Sequence, residues 1–205
     1  MTLTGEVDLN ADLGEEVTDD DGLLALVTSA NVACGYHAGS HDLMRRVCDE
    51  AARLGVKVGA QVSYADREHF GRAARDVPYA VLREQVADQV GTLSSIAVEA
   101  GIAVSYLKPH GALYHRVVDD EAQARAVLDG SGALAVLGLP GALVLDLGRG
   151  RRAAYPHGGL PRPRVRRPRR PGAAHRAGGG ARRRGPDRGA GGGPGDTGRV
   201  GLRAR

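Results

Sequence analysis

Four times in the first 115 residues a short apolar run ends in a polar loop, and a stretch of helical spacing separates each run from the next. The runs cover residues 6–10, 30–34, 56–62 and 102–107, with shorter ones at 134–137 and 142–145. Strand and helix patterns that alternate at intervals of roughly 25 to 45 residues specify parallel βα units. The chain is therefore α/β, and either an open doubly wound sheet or a barrel satisfies the order. The barrel is preferred because loops carrying His or carboxylates follow all of the first four strands, as a ring of strand ends requires.

Local signals place the helices. Asp19, Asp20 and Asp21 offer an N-cap for a short helix over 22–29, Ser40 caps a helix that Gly55 ends, and Pro78 opens a long one reaching Gly101. In the helix after Ser40, Leu43, Val47, Ala51 and Leu54 recur at helical spacing. In the long helix the stripe is Val81, Leu82, Val86, Val90, Leu93 and Ile96 or Ala97, and a further helix is expected over 119–128. Cys34 and Cys48 form no C-x-x-C pair and read as small buried thiols, with a nucleophilic Cys34 as the alternative.

Charge divides the chain. Residues 1–148 carry 11 Lys+Arg and 22 Asp+Glu, a net −11, whereas residues 149–205 carry 17 Arg and 2 Asp, a net +15. Gly and Pro make up 22 of those last 57 residues, a composition that cannot bury enough apolar surface to offset its ordering entropy. The expected organisation is a folded unit over 1–148 and a disordered Arg/Gly/Pro-rich tail over 149–205. With 3% aromatic residues and no Trp, the chain lacks the material for a base-stacking surface. It has no run of about 18 apolar residues and no leader-like N-terminus, so the expectation is a cytoplasmic protein with no membrane span.

The chemistry is expected at the strand ends. Lys108-Pro109-His110-Gly111-Ala112-Leu113-Tyr114 follows the fourth strand directly and puts a cation, an imidazole and a phenol in one loop. Asp8, Asn10 and Asp12 share one strand face by the two-residue period, and His37, Gln61, Asp66 and Arg72 stand in or after the next two strands. A carboxylate and an imidazole facing one pocket can act as base and acid on an amide or on water, while Lys108 can steady a phosphate or an oxyanion. Alternatively, Asp8 or Asp12 with His37 and His110 holds a divalent metal that activates water. No H-E-x-x-H is present, and the preferred reading assigns no metal. His41 and His115 read as surface residues. Neither G-x-G-x-x-G after the first strand nor a Walker loop occurs, so any nucleotide must be held another way.

Five blocks carry a resemblance: Asp8-Leu9-Asn10-Ala11-Asp12-Leu13-Gly14-Glu15, the run from Ala30 to Gly39 containing Asn31, Cys34 and His37, Gly59 to Tyr64 with Asp66, Phe70-Gly71-Arg72, and Lys108 to Tyr114. In this order they are similar to the LamB/YcsF family, over roughly residues 5–148. The resemblance implies a distorted (β/α) barrel related to polysaccharide-deacetylase-like folds, here incomplete at its C-terminus. It also implies the A subunit of an ATP-dependent 5-oxoprolinase, working with B and C subunits, with Mg2+ accompanying the ATP. On that reading Asp8 or Asp12 and His37 transfer protons, Lys108 and His110 meet the phosphate or oxyanion, and Asn10, Gln61, Asp66, Arg72 and Tyr114 bind substrate or nucleotide. Ser40 stands where the family commonly has Asp, and Ala73 where a second Arg often follows Phe-Gly-Arg. The tail has none of the family's remaining strands and helices. Codons can be chosen for residues 157–181 that, read one base later, give a sequence resembling the family's continuation. A frameshift is therefore preferred over an arginine-rich arm that binds nucleic acid by counterion release.

Overall fold

A computed structural model describes residues 7–149; the expectations for the tail and for Glu6 lie outside the described residues. Five parallel strands, β1 (Asn10–Leu13), β2 (Ser29–Ala33), β3 (Lys57–Val62), β4 (Val104–Pro109) and β5 (Ala135–Val136), form one sheet in strictly sequential order. A doubly wound sheet reverses direction at a switch point, and the sequential order of the described strands has no such reversal, as in an arc of a (β/α) barrel. The register sets Asp12 beside Asn31, Ala33 beside Gln61, and Gln61 beside Lys108.

Among the described residues six helices accompany the strands: α1 (Asp20–Leu24), α2 (His41–Leu54), α3 (Tyr79–Glu99), α4 (Gly111–Arg116), α5 (Glu121–Gly130) and α6 (Leu143–Gly148). Ser40 Oγ accepts from the Leu43 amide and Gly55 closes α2 in the left-handed region, so both ends of that helix are capped as expected. A side-chain cap of this kind contributes about 1 kcal/mol. The buried face of α2 is Met44, Val47, Cys48 and Ala51, and that of α3 is Leu82, Val86, Gln89, Leu93, Ile96 and Ala97. These meet the outward side chains of the sheet, Val32, Val58, Ala60, Val62 and Leu107, in one apolar core.

The other face of the sheet is polar. Asn31 Nδ2 donates to Asn10 Oδ1 and Asp12 Oδ1, both at 2.9 Å, and Tyr106 Oη donates to Asn31 Oδ1 at 2.6 Å. Alternation along the strands thus sends apolar side chains to the helices and hydrogen-bonding ones to the concave side.

Several elements depart from the sequence reading. The first helix spans Asp20–Leu24 and not 22–29, because the Thr28 and Ser29 amides donate to the Leu9 carbonyl and start β2. Residues 143–145 belong to α6, with Ala142 as its N-cap and Val144 buried, and not to a sixth strand; a short apolar run does not distinguish the two. Val81, placed in the core stripe, is 44% exposed, and Gln89 takes a core position. The short helix α4 was not anticipated.

Candidate functional site

The site lies at the C-terminal ends of β1 to β4. Gly14, at φ 73°, turns the chain directly after β1. In an unbroken strand Glu15 would face away from Asp12, but this left-handed residue resets the alternation and delivers Glu15 inward, where it is 7% exposed. His37 arrives on the loop after β2 and is buried, Gln61 stands within β3, and His110 follows β4 immediately. Gln89 fixes the end of β3 by bonding both sides of one backbone unit: the Ser63 amide donates to Gln89 Oε1 at 2.9 Å, and Gln89 Nε2 donates to the Ser63 carbonyl at 3.0 Å.

Glu15, His37, Gln61 and His110 form one cluster. Gln61 Nε2 donates to Glu15 Oε1 at 2.9 Å and lies 2.9 Å from His110 Nδ1. His110 Nε2 lies 3.1 Å from the Phe70 carbonyl oxygen. A carbonyl only accepts and an amide N–H only donates, so in the neutral ring the His110 proton resides on Nε2 and the Nδ1 lone pair faces Gln61 and Glu15. The His37 and His110 rings stack with centroids 4.0 Å apart, and Phe70 meets both edge-on. Burial pushes the His110 imidazole below its usual value, helped by the adjacent His37 ring and opposed by Glu15. Burial alone would raise the Glu15 carboxyl, but its contacts with His37, Gln61 and His110 outweigh that and hold it below the usual value. At neutral pH the cluster therefore pairs a carboxylate with an uncharged imidazole.

At the mouth, Lys108 Nζ donates to Asp12 Oδ1 at 2.5 Å, and Asp12 Oδ2 lies 4.0 Å from His110 Nδ1. Asp12, Arg72, Lys108, His110, Tyr114 and His115 border a cavity of about 330 Å³. The Arg72 guanidinium lies over the Phe70 ring, 5.2 Å from its centroid. Two cations thus border the same cavity as His110, whose Nδ1 lies 3.5 Å from the buried Glu15 carboxylate.

The candidates read from the sequence separate into three groups. Asp12, His37, Gln61, Lys108, His110, Arg72 and Tyr114 are brought together. Asn10 joins through Asn31, at the deeper level of the concave face. Asp8 and Asp66 are placed elsewhere. Asp8 accepts from Ser29 Oγ at 2.6 Å and Thr28 Oγ1 at 2.8 Å, at the start of β2 and so at the opposite end of the sheet from His110. Asp66 is buried and accepts from Arg75, the Ala73 amide and His69, which makes it the anchor of the loop carrying Phe70 and Arg72. Sequence reasoning missed Glu15, Asn31 and Tyr106. Glu15 stood in the first of the five blocks, but its role depends on the turn at Gly14, which strand periodicity alone does not show. His41 and His115 are exposed, as expected. Cys34 is fully buried and its thiol is pushed far up by that burial, which removes it as a nucleophile; Cys48 is also buried, and its thiol is raised to about 11. No helix among the described residues is long and apolar enough to cross a membrane.

Comparison with known proteins agrees with the architecture. The chain is 59% identical over 150 residues to the 5-oxoprolinase A subunit of Streptomyces avermitilis, covering 69% of this chain and 60% of that protein. It is 60% identical over 148 residues to the 5-oxoprolinase A subunit of Streptomyces coelicolor, covering 68% and 59%. It therefore spans about 60% of the length of these relatives. Among solved structures, a lactam utilization protein from Thermus thermophilus superposes with a TM-score of 0.70 at 34% identity, covering 72% of this chain and 64% of the other. The LamB/YcsF family matches residues 7–153, and the chain belongs to that family.

Proposed function

We propose that this chain is the A subunit of a cytoplasmic ATP-dependent 5-oxoprolinase, which opens the lactam of 5-oxoproline to L-glutamate together with B and C subunits. The observation that carries the reading is the buried Glu15, Gln61 and His110 cluster beneath a mouth bearing Lys108 and Arg72. A five-membered lactam resists water because its amide is resonance-stabilised. Transfer of the γ-phosphoryl group of Mg-ATP to the lactam oxygen releases ADP and makes the ring carbon electrophilic. Water adds there, the C–N bond breaks with the nitrogen taking a proton, and a second water releases phosphate. Overall, 5-oxoproline, ATP and two waters become glutamate, ADP and phosphate.

Each group has a part in this scheme. The Nδ1 lone pair of His110 accepts a proton from water, and the Glu15 carboxylate 3.5 Å away stabilises the imidazolium formed. Lys108, held by Asp12, and Arg72 meet the developing negative charge on the phosphorylated oxygen. Tyr114 borders the space for the ring. The test is to produce the chain with B and C subunits from the same genome, supply 5-oxoproline and Mg-ATP, and measure glutamate and phosphate. Glutamate formed in step with phosphate supports the reading. No glutamate from a complex that is active when the Streptomyces coelicolor A subunit is substituted overturns it.

A further inference from the structure

His37 has no assigned task in the scheme above, yet it is one of the two most enclosed residues of the cluster, with Gln61. It is 1% exposed, and neither ring nitrogen has a hydrogen-bond partner. A polar group buried in that way costs about 1–3 kcal/mol, so its position calls for a ligand. Its Nε2 lies 3.6 Å from Glu15 Oε1, and His110 Nδ1 lies 3.5 Å from the same oxygen. The three donor atoms fall within 4.8 Å of one another. Tetrahedral zinc, with Zn–N bonds of about 2.0–2.1 Å and Zn–O bonds of about 2.0–2.2 Å, places neighbouring ligand atoms about 3.3–3.5 Å apart. Both separations from Glu15 are close to that edge, and the His37 and His110 rings, stacked 4.0 Å apart, must turn out of parallel for both lone pairs to meet one ion.

The surroundings suit a cation as well. The His110 Nε2–H faces the Phe70 carbonyl, the outer contact that orients a metal-binding imidazole and leaves Nδ1 free to ligate. Gln61 directs the positive end of its amide at Glu15 Oε1 and His110 Nδ1, the two lone pairs a cation would take. Its own Oε1 is buried without a hydrogen-bond partner. A half-turn of that amide would present the oxygen as a further neutral donor. Lys108, at the mouth, is already paired with Asp12.

We propose that Glu15, His37 and His110 form a binding site for a divalent transition-metal ion of the zinc class. Two imidazoles and one carboxylate select zinc or cobalt over magnesium, which prefers oxygen donors, and three protein ligands leave a position open for water. A metal there would take the His110 Nδ1 lone pair and would supply a Lewis acid for water activation in place of that base, a role that rests on the lactam reading; the binding itself does not.

The test uses the full chain stripped with a chelator and titrated with Zn2+ in a calorimeter and with Co2+ in a spectrophotometer. One equivalent of zinc, and the intense visible bands of tetrahedral cobalt, are expected. Glu15→Gln and His37→Gln each weaken zinc binding by at least about 100-fold, and the exposed His41→Gln leaves it unchanged. Failure of the wild type to bind zinc more tightly than Glu15→Gln overturns the proposal, as does binding that survives both substitutions. If His37→Gln does not fold, the wild-type cobalt spectrum decides, because only the weak bands of octahedral cobalt would remain if the site were absent. Metal binding is read without turnover, so a failed glutamate assay does not affect it.

Discussion

The Gly71 carbonyl oxygen accepts from the Ala112 amide at 2.8 Å, and this single backbone bond stitches the loop after β3 to the first turn of α4 beside His110. Gly71 holds φ 69°, and a Cβ there would lie 2.2 Å from Ser63 Oγ and 2.9 Å from His37 Cβ. Both the conformation and the space exclude a side chain. Gly71→Ala is expected to lower stability by about 2–4 kcal/mol. Urea unfolding of the two proteins measures it, and a change below about 1 kcal/mol would mean that the loop relaxes freely.

His110→Asn separates chemistry from packing. Asparagine retains a polar side chain of smaller size but offers no basic nitrogen toward Glu15. Under the proposed function, glutamate formation by the assembled complex falls about 10²–10⁴-fold in kcat, the range for loss of a general base. Full turnover in this variant would remove His110 from the proton-transfer role.

The ion pair at the mouth makes a different prediction. Under the proposed function Lys108 acts on charge that develops during reaction, whereas Asp12, paired with it, acts by holding it in place. Lys108→Met is expected to lower kcat about 10²–10³-fold. Asp12→Asn leaves the ammonium in place but less well positioned, and should reduce kcat by a smaller factor. Steady-state kinetics of both variants check the order, and an Asp12→Asn loss exceeding that of Lys108→Met would assign the chemistry to the carboxylate.

Much of the candidate site's clustering was legible in the sequence because parallel βα units place the residues at and just after each strand's C-terminal end on one rim. His37 and His110 follow from that rule, and Asp12, Gln61 and Lys108 lie in the last residues of their strands. Where it failed, the cause was local backbone geometry. The left-handed Gly14 re-aims Glu15, so the residue that completes the cluster falls outside the strand's period. Asp8 obeys the period but sits at the wrong end of the sheet, a distinction that requires knowing where pairing with Ser29 begins. Asp66 follows its strand as a site residue would, yet its partners Arg75 and His69 come from its own loop. Residues 142–145 mislead for a different reason, since four apolar residues in a row satisfy a buried strand and a short helix equally.

Asp66 provides the last prediction, on stability against pH. The Arg75 hydrogen bond is the main influence on its carboxyl, and with His69 and the Ala73 amide it outweighs burial and holds the group well below the usual carboxylate range. A folded-state value below the unfolded value of about 3.9 means that the unfolded chain takes up a proton first as pH falls. The stabilisation is therefore fully present above about pH 5, declines as pH drops through the unfolded value, and disappears below the folded one. Asp66→Asn keeps the shape but cannot be ionised, and its loop loses the charge that gathers Arg75 and His69. The melting temperature of the wild type should exceed that of Asp66→Asn by a constant margin between pH 6 and 8, and the margin should shrink from about pH 4 downward. Because Asp66 anchors the loop that brings the Phe70 carbonyl to His110, the same variant should also lose activity at neutral pH while Glu15, His37 and His110 remain chemically intact. A margin that persists undiminished to pH 3 would show that the ionised carboxylate is not what holds the loop.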